Sequence, residues 1–414
     1  MSARVILGVG AGIGAYKSCE LLRLLTESGH RVRVVPTPDA LRFVGEATWA
    51  ALSGEPVTTD AWTGVAEVPH VRLGQSAALV VVAPATADLM ARAAAGMAGD
   101  LLTATLLTAR CPVLYAPAMH TEMWEHPATQ ANVALLRSRG AIVLEPAVGR
   151  LTGADSGAGR LPEPAEIFAV ATRLLARGAS GTGGTGGGGR GDPLRLDLAG
   201  RRVVVSAGGT REEIDPVRFI GNWSTGTQGY ALARTAVARG AEVIVVAANV
   251  ALPDPAGTKV VRVVSARELQ DAVTAAAAGA DAVVMAAAVA DYRPQTRSVA
   301  KIKKDGQPPE PLRLTENPDI LAGLAERRGR EAAPMVLVGF AAETDTAAGT
   351  AQAKLARKGC DLLVVNPVGN GLGFGTIDNE AVVYGVDGSV TQIPRGPKEA
   401  LADVVWDLVA DRLK

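Results

Sequence analysis

The stretch from Ala286 to Lys304 reads AAAVADYRPQTRSVAKIKK and gathers one acid, Asp291, with the cations Arg293, Lys301, Lys303 and Lys304. An apolar run from Val283 to Val289 leads straight into it. The run predicts a buried strand, and the carboxyl end of such a strand is where open α/β sheets hold ligands. Over Lys301 to Lys304 a strand period places Lys301 and Lys303 on one face. Lysine is a compact point charge, so two of them beside one acid suit a polyphosphate. A solvated edge strand would be equally lysine-rich, and the rest of the chain decides between the two. Lys354 and Lys358 stand one helical turn apart, on one face of a predicted helix. Asn317 followed by Pro318 reads as a helix N-cap and first helical residue.

A second set of candidates lies near the start. Gly8-Val-Gly10-Ala-Gly12-Ile-Gly14-Ala15 follows a predicted strand and carries a dinucleotide-type glycine pattern. The next strand ends in Pro36-Thr37-Pro38, where a dinucleotide site wants a ribose-binding acid. A hydroxyl there suits a flavin mononucleotide (FMN) phosphate or ring better. Thr86, in Ala83-Pro-Ala-Thr86-Ala-Asp88, sits between a strand and a helix, where backbone N–H groups can hold an anion.

Alternating strands and amphipathic helices must position these residues. Strands are expected at Val5–Val9, Val32–Val35, Leu79–Ala83, Val113–Ala116 and Ile142–Glu145, with helices near Ala15–Glu27 and Ala87–Ala95. A second series has strands at Arg202–Ser206, Val243–Ala247, Ala282–Val289, Met335–Gly339 and Leu362–Val365, with a helix near Tyr230–Arg239. Between them Gly178 to Gly191 reads GASGTGGTGGGGRG, a flexible coil by composition. This rhythm gives the fold class: α/β, two doubly wound, Rossmann-like domains with parallel sheets. The boundaries fall at 1–177 and 198–414, with 178–197 as linker. A length of 414 residues also favours two cores over one. The 42 basic and 42 acidic residues argue against a nucleic-acid partner. The three separated cysteines suggest neither a disulfide framework nor a metal site. No apolar stretch approaches the ~18 residues a membrane span needs. A strand directly after Met1 leaves no room for a signal peptide, so a cytoplasmic protein is expected.

His70-Val-Arg-Leu73, Ala83-Pro-Ala-Thr-Ala-Asp88, Pro117-Ala-Met-His-Thr-Glu-Met-Trp124 and Gly153-Ala-Asp-Ser-Gly-Ala-Gly-Arg160 resemble the successive motifs of flavin-dependent cysteine decarboxylases. The resemblance covers nearly all of residues 4–165. Val203 to Glu212, Asp215 to Ile220, Asn222 to Gly229, Asn317-Pro-Asp-Ile-Leu321, Gly339-Phe-Ala-Ala-Glu343 and Lys354 to Leu362 resemble a ligase half over residues 201–410. Together they resemble the bacterial bifunctional phosphopantothenoylcysteine decarboxylase/phosphopantothenate–cysteine ligase family of coenzyme A biosynthesis, in its actinobacterial form. The resemblance implies FMN in the first half, with Gly12, Thr37, Thr86 and Met119 against it. It implies His70 as the base or orienting group, and His120 and Asp155 as candidates for the final protonation. In the second half it implies CTP, together with Mg2+, held by Ala287, Asp291, Lys301, Asn317, Pro318, Asp319, Ile320, Phe340, Lys354 and Lys358. Lys301 would neutralise developing phosphate charge, and Asn222 would bind the acyl-phosphate oxygen. The partners implied are phosphopantothenate and cysteine, and a homo-oligomer of decarboxylase trimers and ligase dimers that can build a dodecamer.

Several positions depart from the family pattern. His120 replaces an asparagine, the segment Leu151 to Asp155 has no cysteine, and Gly10 and Gly99 replace polar residues. Thr227 stands for a lysine and Glu316 for a basic residue. These changes keep two alternatives in view. One is a paralogue with the same folds and chemistry acting on another acid or cysteinyl compound. The other is a non-catalytic scaffold homologue, against which the retention of His70, Asn222, Asp291 and Lys301 argues.

Overall fold

Short β-branched runs, buried on both faces, are what a parallel sheet covered by helices requires, and two such sheets form here. The computed structural model describes residues 2–59, 68–150, 156–180, 196–303, 311–331, 334–343, 348–368 and 378–414. The chain divides into two units, Met1–Arg195 and Leu196–Lys414.

In the first unit β1 (Arg4–Val9), α1 (Ala15–Glu27), β2 (Arg31–Pro36), α2 (Glu46–Ser53) and α3 (Pro69–Ser76) lead to β3 (Leu79–Ala85). Then come α4 (Ala87–Ala95), α5 (Leu101–Thr108), β4 (Val113–Pro117), α6 (Thr121–Glu125), α7 (Pro127–Ser138) and β5 (Ile142–Val143). A hairpin of β6 (Ala147–Arg150) and β7 (Ser156–Arg160) precedes α8 (Pro164–Ser180). The sheet order is β2-β1-β3-β4-β5, all parallel. One core, around Leu7, Leu21 and Leu174, fills one face. A second, around Leu89, Tyr115 and Trp124, fills the other. The last strand is two residues long, shorter than the expected Ile142–Glu145. Helix α8 runs on through Gly178–Ser180, where coil was expected.

The second unit runs β8 (Arg202–Gly208), β9 (Arg211–Glu213), β10 (Phe219–Gly221), α9 (Thr227–Ala238), β11 (Glu242–Ala248), β12 (Thr258–Val263), α10 (Ala266–Ala276) and β13 (Ala282–Met285). It continues with β14 (Tyr292–Pro294), β15 (Leu314–Glu316), α11 (Ile320–Glu331), β16 (Val336–Glu343), α12 (Ala348–Lys358), β17 (Leu362–Pro367), β18 (Asp378–Gly385), β19 (Val390–Pro397) and α13 (Lys398–Arg412). The main sheet is ordered β12-β11-β8-β13-β16-β17-β18-β19. Its last two strands are antiparallel, so the sheet is mixed rather than purely parallel. Helices α9 and α13 share one core with this sheet through Tyr230, Leu232, Val405 and Trp406. The opposite face is filled by Leu269, Leu324, Leu337 and Leu355.

Two further expectations are corrected. The strand over Ala282–Val289 ends at Met285, and Ala286–Ala290 is irregular backbone, half-buried. Lys301, Ile302 and Lys303 form no strand and are exposed, so no pleat places Lys301 and Lys303 on one face; Lys304 lies outside the described residues. What fixes this segment is Asp215, which accepts the Ile302 N–H at 3.2 Å while the Ile302 carbonyl accepts from Arg218 at 2.9 Å.

Two candidate active sites at the carboxyl edges of the sheets

In the first unit the order β2-β1-β3 makes the gap between β1 and β3 a topological switch point, where the connecting loops part and leave a crevice. Gly12, Thr37 and Thr86 follow the carboxyl ends of β1, β2 and β3. Thr37 caps a short helical turn by accepting the Ala40 N–H at 3.3 Å, and Thr86 caps α4 by accepting the Leu89 N–H at 3.3 Å. Each hydroxyl keeps its proton to donate to a ligand oxygen. Gly12 faces Thr86, with the nearest atom to its would-be Cβ, Thr86 Cγ2, at 3.8 Å. At Gly10 a Cβ would lie 2.5 Å from the Pro84 carbonyl oxygen. The Gly10 N–H donates to that same oxygen at 3.0 Å. The absence of a serine there is therefore dictated by the close approach of two backbones. Helix α1 follows Gly14 without a side-chain cap; the Ala15 and Lys17 N–H groups donate to the Gly12 and Gly14 carbonyls at 3.0 Å, which leaves the Tyr16 N–H of the first turn to an anion. Ser18 ties the helix to the sheet by donating to the Ala83 carbonyl at 2.7 Å.

Met119 and His120 follow β4 on the same edge, and the Met119 N–H donates to the Gly159 carbonyl of β7 at 2.9 Å. Gly159 has φ +153°, and a Cβ there would stand 2.2 Å from the Met119 carbonyl oxygen. The hairpin thus lies directly on the Met119–His120 backbone. Asp155 is outside the described residues.

His70 does not join this group. It is the second residue of α3, and its carbonyl accepts from Thr108 Oγ1, at the end of α5, at 2.7 Å. Helix α3 borders a groove of about 620 Å3 together with Arg4 and Arg31, the first residues of β1 and β2. His70 therefore stands towards the amino edge of the sheet, opposite Gly12, Thr37, Thr86 and His120. Its buried Nδ1 has no hydrogen-bond partner among the described residues.

In the second unit a cleft of about 750 Å3 opens at the carboxyl ends of β13 and β16, beside the switch point between β8 and β13. Asn222, Ala287, Asp291, Asn317, Pro318, Asp319, Ile320, Phe340, Lys354 and Lys358 all line it. The irregular Ala286–Ala290 segment is stitched to β8. The Ala287 N–H donates to Ser206 Oγ at 3.0 Å, Ala288 N–H to the Gly208 carbonyl at 2.8 Å, and Ala290 N–H to Thr210 Oγ1 at 3.0 Å. Ser206 and Thr210 are fully buried. They fix the wall of the cleft, and the sequence did not single them out, since a hydroxyl inside or after an apolar strand has no distinctive pattern.

Asn222 donates to the Ala288 carbonyl at 2.8 Å and accepts the Ser224 N–H at 3.2 Å. Asn317 donates to the Ala290 carbonyl at 2.8 Å and accepts from Arg293 at 3.1 Å. It is not a helix cap. Helix α11 begins at Ile320, and Asp319 accepts the Ala322 N–H at 3.2 Å in the capping position. Lys354 and Lys358 both reach the cleft from α12, as their spacing implied, but each meets a carboxylate. Lys354 pairs with Glu343 at 2.7 Å and Lys358 with Asp319 at 2.6 Å. Glu316 also lines the cleft, whereas Lys301 is not part of its lining. Burial raises the thiol pKa of Cys19, Cys111 and Cys360, the last to about 11. None is poised as a thiolate nucleophile.

A flavodoxin-ordered sheet with a hydroxyl-lined crevice, followed by a second α/β unit with an anion-compatible cleft, defines a two-site α/β enzyme. Residues 1–176 match the family model Flavoprotein, and residues 198–413 match that of the DNA/pantothenate metabolism flavoprotein C-terminal domain. A coenzyme A biosynthesis bifunctional protein CoaBC of Mycobacterium tuberculosis is 58% identical over 98% of this chain and 96% of its own length. The CoaBC protein of Mycolicibacterium smegmatis is 56% identical over 100% and 99%, and that of Vibrio cholerae 39% over 99% and 98%. The chain belongs to the CoaBC family of bifunctional coenzyme A biosynthesis proteins. It is a bifunctional enzyme, with a flavoprotein decarboxylase half and a ligase half.

Proposed function

We propose that the chain converts 4′-phosphopantothenate and cysteine to 4′-phosphopantetheine, with CTP activating the acid and FMN serving the decarboxylation. The ligase reading is carried by one observation: the cleft between β13 and β16 brings Asn222, Asn317, Phe340, Lys354 and Lys358 to a single lining. A carboxylate is a poor electrophile, and attack of its oxygen on the α-phosphorus of CTP makes an acyl-cytidylate while pyrophosphate leaves. Phe340 flanks the base, Asn317 holds the wall formed by Ala290 and Asp291, and Lys354 and Lys358 meet the phosphates. Fixed cations are effective there because charge grows on the leaving group in the transition state. Mg2+ would enter on the triphosphate, which is its usual mode of binding. The cysteine amine then attacks the acyl carbon, Asn222 offers an amide donor to the acyl oxygen, and CMP leaves. Lys301 lies outside the cleft lining of its own chain, so no step is placed on it.

The first unit suits FMN. Gly10 and Gly12 let backbone approach closely, the uncapped start of α1 accepts a phosphate, and Thr37 and Thr86 can donate to the ring or phosphate. When bound, FMN supplies the two-electron acceptor that oxidises the cysteinyl moiety so that carbon dioxide can leave. His120 can donate to the substrate carboxylate, most strongly when protonated, and it shares with Asp155 the candidacy for final proton donor. The placement of His70 on the far edge supports a homo-oligomer in which His70 of one copy meets the flavin crevice of another. Decarboxylase trimers, ligase dimers and a dodecamer built from both fit that need.

Purified protein given CTP and 4′-phosphopantothenate should release pyrophosphate before cysteine is added, and ATP should not replace CTP. Absence of pyrophosphate with phosphopantothenate, but release with another acid, would move the assignment to a paralogue.

A further inference from the structure

Among the described residues, six ionisable groups other than Tyr292 line the large cleft of the second unit: Lys354, Arg357, Lys358, Asp291, Glu316 and Asp319. Their charges balance, but their pairing is uneven. Lys354 is held by Glu343 and Lys358 by Asp319. Both carboxylates are anchored independently of the lysines. Glu343 ends β16 opposite Pro367 of β17, and Asp319 also accepts the Ala322 N–H at the start of α11. A ligand that drew either lysine away would uncover a carboxylate beside itself. An ammonium has three N–H donors, so each lysine can still donate to a phosphate oxygen from within its pair. The pair as a whole, however, carries no net charge.

Arg357 stands apart. It lies three residues after Lys354, on the same face of α12, and lines the same cleft. Among the described residues its side chain has neither a carboxylate nor a hydrogen-bond partner. It is exposed, so its substitution does not unpack the unit. A guanidinium is a permanent charge whose planar fork fits two phosphate oxygens at once. The lining acids that pair with no cation among the described residues are Asp291 and Glu316; Asp291 leads into β14 and Glu316 ends β15. The cleft is thus cationic on α12 and anionic at the β14–β15 ribbon, which draws a polyanion to the helix.

We propose that Arg357 grips the outer two phosphates of the nucleotide, the part that departs as pyrophosphate, and so turns the triphosphate towards α12. The proposal rests on the ligase reading above. An arginine in the last turn of a helix also answers the partial negative charge of the helix end. The two roles differ in what they do to CTP relative to CMP.

Calorimetric titration of the full chain with CTP and CMP reads that difference. Arg357→Gln should weaken CTP about tenfold or more, the scale of a lost charged hydrogen bond, and leave CMP unchanged. Arg357→Lys keeps the charge without the fork and should recover part of the loss. Arg330→Gln removes an exposed arginine of α11 that does not line the cleft, and should alter neither affinity. Unchanged CTP binding in Arg357→Gln overturns the proposal. So does a loss shared equally by CTP and CMP, which marks a role in holding α12, or an equal loss in Arg330→Gln, which marks the general field of the unit. Wild type that binds no CTP defeats the ligase reading and this proposal with it, whereas CTP binding indifferent to Arg357 defeats the proposal alone.

Discussion

In the proposed reaction the single amide of Asn222 serves structure and chemistry together. Its nitrogen donates to the Ala288 carbonyl and its oxygen accepts from Ser224, so the side chain has one possible orientation. An aspartate at this position would set a carboxylate against the Ala288 carbonyl, acceptor against acceptor, and would have no donor for an acyl oxygen. Asn222→Asp should therefore still release pyrophosphate from CTP and phosphopantothenate, while amide formation falls by about a hundredfold, the scale of losing one transition-state donor. Rapid-quench detection of accumulated acyl-cytidylate checks this; equal loss of both half-reactions would mean that Asn222 mainly holds the wall of the cleft. Much of this site was legible from residue types and order, because Asn222, Asp291, Asn317, Phe340, Lys354 and Lys358 lie in compact motifs. The ion pairs of Lys354 and Lys358 were not legible, because Glu343 and Asp319 come from other elements.

Among the elements, α1 and α4 were legible to the residue, with Gly14 before one and Gly96 after the other, whereas α9 starts at Thr227, three residues before the expected Tyr230. The apolar run Val283–Val289 misled because hydrophobicity alone does not separate a strand from an irregular segment whose N–H groups are taken by buried hydroxyls. The antiparallel pair β18–β19 was missed although Asp387-Gly388 at its turn, with Gly388 at φ +81°, is a hairpin signal. A buried knot holds α9 to α13 and to the start of the unit. Arg239, fully buried, pairs with Asp197 at the unit's entry and with Asp407 at 2.9 Å, and donates to the Asp403 carbonyl at 3.0 Å. Removing the cation leaves carboxylates packed without it. Arg239→Leu should destabilise the second unit by about 3–5 kcal/mol, seen as an earlier denaturant transition, with the flavoprotein unit's transition unchanged. A change under about 1 kcal/mol would show that solvent reaches the knot readily.

For the molecule as a whole, fold and family were legible, but the edge of the sheet on which His70 falls was not, because a helix's position along a strand depends on loop lengths that no motif encodes. That edge sets the quaternary prediction. Protein carrying His70→Asn and protein carrying Thr86→Val should each release no carbon dioxide. Co-expressed, they should regain activity in mixed oligomers, where one intact crevice can meet one intact histidine. No recovery, with mixed assembly verified by mass, would mean that His70 acts within its own subunit or not at all. Among the described residues no helix is long and apolar enough to cross a membrane. The position of α13 has a consequence in time. All five strands of the first sheet lie before residue 144, so that unit can close its core while the remainder is still being translated, the usual order for tandem domains. The second sheet cannot. Its first helix, α9, waits on the last described element, α13, for its packing partner. Flavin capture can therefore begin on a nascent chain, whereas the ligase unit closes the core between α9 and α13 only when α13 has emerged from the ribosome.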